Sequence, residues 1–503
     1  MFRKIRIALA ALFFLGVTLL FLDFTGTVHA WLGWMAEVQL LPAILALNVG
    51  VVVGLVALTL LCGRVYCSVV CPLGVLQDIF GRLGGIGRKR RYRFGYSKPL
   101  NWLRYAVLAL FVVALVAGVG SFVALLAPYS SFGRIAQNLL SPLYVWGNNL
   151  LAYLAERSES YAFYGKEVWI RSVPTFCVAA GTCVLLFVLA FRGGRTYCNT
   201  VCPVGTLLGL LSRHAWFRPV IDTSKCNGCG LCARGCKASC IDSASHEVDA
   251  SRCVMCMDCI GVCHKGAIRL GHKGAAPVCE KASEEGKTAE GKGVDAGRRM
   301  FLASSAMLAT GLAVKAKEGK VDGGLAVILD REIPKRGTRI VPPGAVSLRH
   351  LAQHCTGCQL CVSACPNDVL RPSSGLVTLM QPEMSYERGY CRPECTRCSD
   401  VCPTDAIFRI TPEEKSATQV GHAVFVMKNC VVETDGVRCG NCARHCPVGA
   451  ITMIPLDDAA EKPRKIPSVD TERCIGCGAC ENLCPARPFS AIYVEGHEVH
   501  RMI

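Results

Sequence analysis

The sequence contains no glycine-rich phosphate loop, no recognisable catalytic triad and no His-Glu-x-x-His helix, so nothing in it supports nucleotide-driven or hydrolytic chemistry. Acidic residues are also scarce, with 38 Asp+Glu against 55 Lys+Arg and a net charge of +17. The deficit is local. Residues 318–503 hold 21 Lys+Arg and 22 Asp+Glu, so the whole basic excess lies in residues 1–317. Such an excess points to nucleic acid or to a membrane surface. Here it flanks long apolar runs in a chain that is 51% apolar, and the membrane accounts for it without nucleic acid.

Four uncharged apolar runs, 7–22, 40–61, 105–128 and 172–191, come first. Three are long enough for about 30 Å of hydrocarbon, and the first is if Arg3, Lys4 and Arg6 snorkel. The connection between runs two and three carries nine Lys+Arg against the single acid Asp78. The connection at 23–39 carries Asp23 and Glu37 and no Lys or Arg. By the positive-inside rule both ends of a four-span bundle are expected in the cytoplasm.

The segments after runs two and four are copies of each other. Residues 63–76 match 194–207 at nine of fourteen positions, always 131 residues apart. Two parallel repeats are expected, each ending in Cys-x3-Cys-Pro: Cys67 and Cys71 in one, Cys198 and Cys202 in the other. Cysteines at i and i+4 share a helix face, so the four can meet. They could hold an iron–sulfur centre, bind copper, or act as redox thiols. Cys62, Cys177 and Cys183 fall in or beside spans, where small apolar packing is expected.

Of the 33 cysteines, 24 form six groups of four. The first two are Cys226, Cys229, Cys232, Cys236 and Cys253, Cys256, Cys259, Cys263. The later four are Cys355, Cys358, Cys361, Cys365; Cys391, Cys395, Cys398, Cys402; Cys430, Cys439, Cys442, Cys446; and Cys474, Cys477, Cys480, Cys484. Three cysteines in a tight loop cap three irons of a cubane, while the fourth ligates the neighbouring cluster in two-cluster ferredoxins. Cys263 should therefore complete the Cys226 set and Cys236 the Cys253 set. Lys237 and His264 stand where proline usually follows. For the later groups, exchange between sequence neighbours or between first and last group are both open. About six 4Fe-4S clusters are expected. Structural zinc prefers separated Cys-x2-Cys pairs, and six near-identical groups argue against disulfides. Cys240 and Cys279 fit no group.

The halves meet at Gly297-Arg298-Arg299-Met300-Phe301-Leu302, an apolar run to Val314, and Lys315-Ala316-Lys317. This resembles a twin-arginine export signal, carried by Arg298, Arg299, Phe301 and Leu302, but placed internally. Its apolar part, residues 300–314, spans about 22 Å as helix. It is either cut or retained as a fifth span. The polar stretch before it reads as a linker reaching on the order of 30 Å.

These motifs carry a family resemblance. Residues 1–270 resemble NapH (and MauN), the membrane ferredoxin-type proteins. Residues 297–503 resemble their partners NapG and MauM, so the chain looks like the two fused. The fold class implied is an α-helical membrane bundle with α+β ferredoxin-like polyferredoxin domains. The division is 1–215 membrane domain, 216–271 cytoplasmic two-cluster module, 272–296 linker, 297–317 signal or anchor and 318–503 periplasmic four-cluster domain. The resemblance implies a quinol dehydrogenase in a bacterial inner membrane, drawing electrons from the quinone pool for a periplasmic redox protein or reductase such as nitrate reductase. A second reading is a membrane reductase that matures a metalloenzyme or reduces copper. One gap stands in the relay: about 30 Å of hydrocarbon separates a cytoplasmic Cys-x3-Cys-Pro unit from exported clusters. His29, Trp31 and Trp34 in the 23–39 connection offer a quinone site by position alone.

Overall fold

The computed structural model describes residues 2–84, 94–160, 162–272, 331–456 and 463–503. Most of the linker and the whole export-like stretch, with Arg298, Arg299, Phe301 and Leu302, lie outside the described residues.

Two helices, α1 (Phe2–Leu22) and a later one at Val173–Gly193, are long and apolar enough to cross a membrane. The other two apolar runs differ from the single spans expected of them. Run 40–61 forms two helices, Leu40–Leu45 and Val49–Cys62, because Leu47 turns left-handed and the Asn48 side chain accepts from the Val51 N–H, capping the second helix. Run 105–128 breaks at Gly118, whose φ of 72° suits glycine, into Asn101–Val116 and Gly120–Leu126. Ala127 and Pro128 then reverse the chain into Pro128–Ile135, which passes through a π-helical turn, Ala136–Leu140, into Ser141–Arg157. The result is a hairpin whose tip, at Leu126–Tyr129, dips into the bundle and bonds to Tyr197.

The two cysteine-rich modules sit at opposite ends of this bundle. At one end of α1 Arg3 pairs with Asp258 at 2.8 Å, and the two-cluster module folds between strands β1 (Phe217–Ile221) and β4 (Ile268–His272), paired antiparallel. A smaller hairpin of β2 (Ile241–Asp242) and β3 (Glu247–Val248) lies within it. At the other end of α1 Phe21 packs beside Gly133, and a Cβ on Gly133 would collide with the Cys358 carbonyl oxygen. The helix Val173–Gly193 repeats the arrangement. Just before it Arg171 pairs with Asp368 at 2.9 Å, and just after it the Arg195 N–H donates to the Lys237 carbonyl at 2.8 Å.

The four-cluster domain is made of hairpins with little apolar core. They are β5 (Leu370–Pro372) with β6 (Pro382–Met384) and β8 (Ile451–Pro455) with β9 (Lys465–Val469), while the longer β7 (Thr418–Phe425) pairs antiparallel with the distant β10 (Ile492–Met502). Its buried residues form three small clusters, each lined by cysteines. A domain with so divided a core needs its cofactors to hold it.

Candidate metal centres

Each triplet loop ends in a short helix and a cysteine that leaves for the neighbouring set. Cys226, Cys229, Cys232 and Cys263 line one cavity of about 150 Å³. Cys236 lies instead with Cys253, Cys256 and Cys259. In the four-cluster domain Cys402 faces Cys355, Cys358 and Cys361, and Cys365 faces Cys391 and Cys398. Cys484 shares a cavity with Cys430, Cys439 and Cys442, while Cys446 lies beside Cys474 and Cys477. The exchange therefore runs between sequence neighbours, first with second group and third with fourth.

The donor sets fit cubanes. The described cysteines form no disulfide. Backbone N–H groups already point at the sulfurs: Gly357 to Cys355 at 3.4 Å, Ala267 to Cys263 at 3.3 Å, Ala450 to Cys446 at 3.2 Å and Ala491 to Cys484 at 3.3 Å. Such donors stabilise thiolate ligands and tune cluster potential. Burial pushes the thiols the other way; Cys358 and Cys477 are raised to about 12, each against neighbouring cysteines that add to the rise. Buried thiols so crowded ionise together only when bound iron supplies the balancing charge.

The Cys-x3-Cys-Pro copies meet at the centre of the bundle, where Cys67, Cys71, Cys198 and Cys202 are all buried. Duplication produces a reciprocal clasp. Arg64 donates to the Cys198 carbonyl at 3.2 Å, and Arg195 donates to the Cys67 carbonyl. Gly74 and Gly205 leave room for these arginines; a Cβ on either would strike the cysteine carbonyl and crowd the guanidinium. Arg195 also grips Asp78 through Nε and Nη2, both at 2.8 Å, and Lys237 reaches the same carboxylate at 2.6 Å. Burial pushes the Asp78 carboxyl up, but the two cations outweigh it and hold the group well below the usual carboxylate range.

Contacts run from this unit to both modules. On one side Arg64 donates to Ser251 O at 3.1 Å and Asn199 to Ala238 O at 3.0 Å, beside Cys253 and Cys236. On the other, the Tyr66 hydroxyl bonds Gln39 at 3.0 Å and the Tyr197 hydroxyl bonds Leu126 O at 3.2 Å. Tyr129 at the hairpin tip, 2% exposed, belongs to the same buried cluster as Tyr66 and Cys358. Within the far domain the Cys391 N–H donates to Cys477 O at 3.0 Å, joining its two pairs. One buried cluster of side chains accordingly contains Cys236, Cys256, Cys259, Cys67, Cys71, Cys202, Tyr66, Tyr129 and Cys358.

Cys240, which fits no group by spacing, is buried with its Sγ 3.6 Å from the Cys236 Sγ. A thiol there is placed to donate to cluster-ligating sulfur; only the fold, which doubles the chain back after Cys236, reveals it. The His29 N–H donates to Asp23 Oδ2 at 3.1 Å, and Trp31 and Trp34 are exposed.

Comparison with known proteins gives two kinds of match. A family model described as a 4Fe-4S binding domain matches residues 45–92 and again 176–223, and 4Fe-4S dicluster domain models match 354–407 and 437–487. The chain is 31% identical over 198 residues to the ferredoxin-type protein NapG of Escherichia coli, covering 37% of this chain and 81% of that protein. It is 32% identical over 170 residues to the methylamine utilization ferredoxin-type protein MauM of Methylobacillus flagellatus (32% of this chain, 70% of that one). It is 27% identical over 178 residues to the ferredoxin-type protein NapF of Escherichia coli, 35% of this chain and 99% of that one. No solved structure matches.

Proposed function

Because the chain belongs to the family of ferredoxin-type proteins that includes NapG and MauM, we propose that its clusters form one conductor from the two-cluster module to the four-cluster domain, fed by membrane quinol. Iron–sulfur electron transfer follows from the matched domains; the route is the new element. The observation that carries it is the central cysteine unit, which bonds Ser251 and Ala238 beside the Cys236–Cys253 set on one side and shares one buried cluster with Tyr66, Tyr129 and Cys358 on the other. The hairpin tip at Leu126–Tyr129, bonded to Tyr197, supports a route across about 30 Å of hydrocarbon.

When bound, the clusters supply one-electron chemistry with little ligand movement. The chain's own residues hold seven cysteine sets in series, with the central one wholly buried. The sets run from Cys226, Cys229, Cys232 and Cys263, through Cys253, Cys256, Cys259 and Cys236, to Cys67, Cys71, Cys198 and Cys202. They continue with Cys355, Cys358, Cys361 and Cys402, then Cys391, Cys395, Cys398 and Cys365. Cys474, Cys477, Cys480 and Cys446 come next, and Cys430, Cys439, Cys442 and Cys484 last. Arg64 and Arg195 fix the central set, and their charge offsets its thiolates.

A lipid environment is supported by apolar side chains exposed along every long helix, among them Leu9, Leu12 and Leu15, Val53, Leu61, Val113, Val116, Leu150, Leu151 and Val184. The basic asymmetry and the Arg298-Arg299 pair support a two-cluster module in the cytoplasm and a four-cluster domain in the periplasm. The electrons then serve a periplasmic reductase or other redox protein. Iron and acid-labile sulfide analysis should give about six 4Fe-4S clusters, or seven if the central set holds one. Stoichiometric zinc without broad visible absorbance would refute the cluster assignment. Protease added to spheroplasts should digest residues 331–503 and spare 216–272; protection of both would refute the topology.

A further inference from the structure

A cavity of about 310 Å³ lies where the end of α1, the π-helical turn and the segment 166–171 meet the Cys358 loop. Its walls are mostly apolar, with Phe21, Leu139, Val145, Trp146 and Phe176 among them, and it opens beside the exposed Leu143 and Trp146. Its volume suits a single aromatic ring system with the start of an apolar tail. At its inner end lies Gln359, 2% exposed, in the ligand loop between Cys358 and Cys361. Asn138 donates to the Gln359 Oε1 at 3.0 Å, whereas the Gln359 Nε2 has no partner among the described residues. A buried amide N–H without an acceptor is costly unless a ligand supplies one. The turn that carries Asn138 is π-helical, an irregularity that recurs at functional sites.

We propose that this cavity is the quinol site, with the ring inside, one ring oxygen accepting from the Gln359 Nε2, and the tail leaving past Leu143 and Trp146 into lipid. The inference rests on the quinol-fed reading above and adds its place of entry. The chemistry balances simply. One quinol loses two electrons, one at a time, to oxidised cluster held by Cys355, Cys358, Cys361 and Cys402, and its two O–H bonds release two protons to water at the mouth near Lys166 and Glu167. Quinone is the product. Entry here puts electrons directly on the four-cluster domain, and the central cysteine unit joins these same clusters to the two-cluster module.

The test uses the full-length holoprotein in lipid nanodiscs and decylubiquinone and menadione as probes. Binding is read from quenching of tryptophan fluorescence, since Trp146 and Trp169 line the cavity. Gln359→Leu should weaken binding about tenfold, the worth of one hydrogen bond to a buried group. Ser141→Trp, which fills the cavity from its wall, should abolish binding while the cluster spectrum stays that of the wild type. Unchanged affinity in both variants, with the wild type still binding and being reduced by quinol, would overturn the site and leave the quinol-fed reading standing. A wild type that neither binds either probe nor is reduced by quinol would overturn both.

Discussion

Asp78→Ala is expected to destabilise the bundle by about 3–5 kcal/mol, the usual consequence of removing one partner from a buried ion pair. The carboxylate answers three cations: Arg195 through two bonds at 2.8 Å, Lys237 at 2.6 Å and Arg6 at 3.8 Å. Arg195 is fully buried, so its charge cannot turn to water when the partner goes. The loss should spread to function, because the same guanidinium holds the Cys67 carbonyl and Lys237 follows Cys236 directly. Denaturant unfolding in detergent, followed by cluster absorbance, would measure it; a midpoint unchanged from wild type would show the network to be dispensable. The pH dependence has a definite sign. A carboxyl held below its unfolded value of about 3.9 contributes fully above that pH and loses its contribution only as pH falls further. Acidifying from pH 8 to 5 should leave this contribution in place.

Gly133→Leu is expected to lift the four-cluster domain off the bundle. A Cβ at this position meets the Cys358 carbonyl oxygen and the ring of Phe21, one a backbone atom and the other a fully buried side chain, so neither can yield. Overpacking of this kind costs about 1–3 kcal/mol, and here it falls on an interface joined elsewhere by a few polar links such as Arg171–Asp368, Arg388–Glu167 and Arg409–Glu37. Hydrogen exchange across 348–364 should rise sharply while cluster absorbance is retained. Wild-type protection in that segment would mean that the close approach does not hold the domain.

The cysteine sets were legible because cluster ligation needs a fixed local spacing, which a linear sequence displays directly. Which set receives each departing cysteine was legible for Cys236 and Cys263, where only two groups are present. It was not for Cys365, Cys402, Cys446 and Cys484, because spacing is the same for neighbour and end-to-end exchange. The duplication of 63–76 in 194–207 was visible, but not that Arg64 and Arg195 each serve the other copy. Apolar composition could not distinguish a straight span from a broken one, and the breaks at Leu47–Asn48 and Gly118 rest on single residues. Those breaks matter most, since the dip of Leu126–Tyr129 is what brings Cys358 toward the central cysteines. Gln359 escaped notice because a glutamine in a ligand loop has no signature until the cavity before it is seen.

Conduction between the modules is the central claim, and sealed inverted vesicles depleted of quinone test it most directly. In the proposed topology dithionite, which stays outside, meets only the two-cluster module, while the four-cluster domain faces the lumen. The account predicts that the lumenal clusters become reduced, seen by EPR, and that Cys67→Ser or Cys198→Ser leaves them oxidised while the outer clusters still respond. Lumenal clusters that stay oxidised in the wild type, or that are reduced equally fast in both variants, would contradict it.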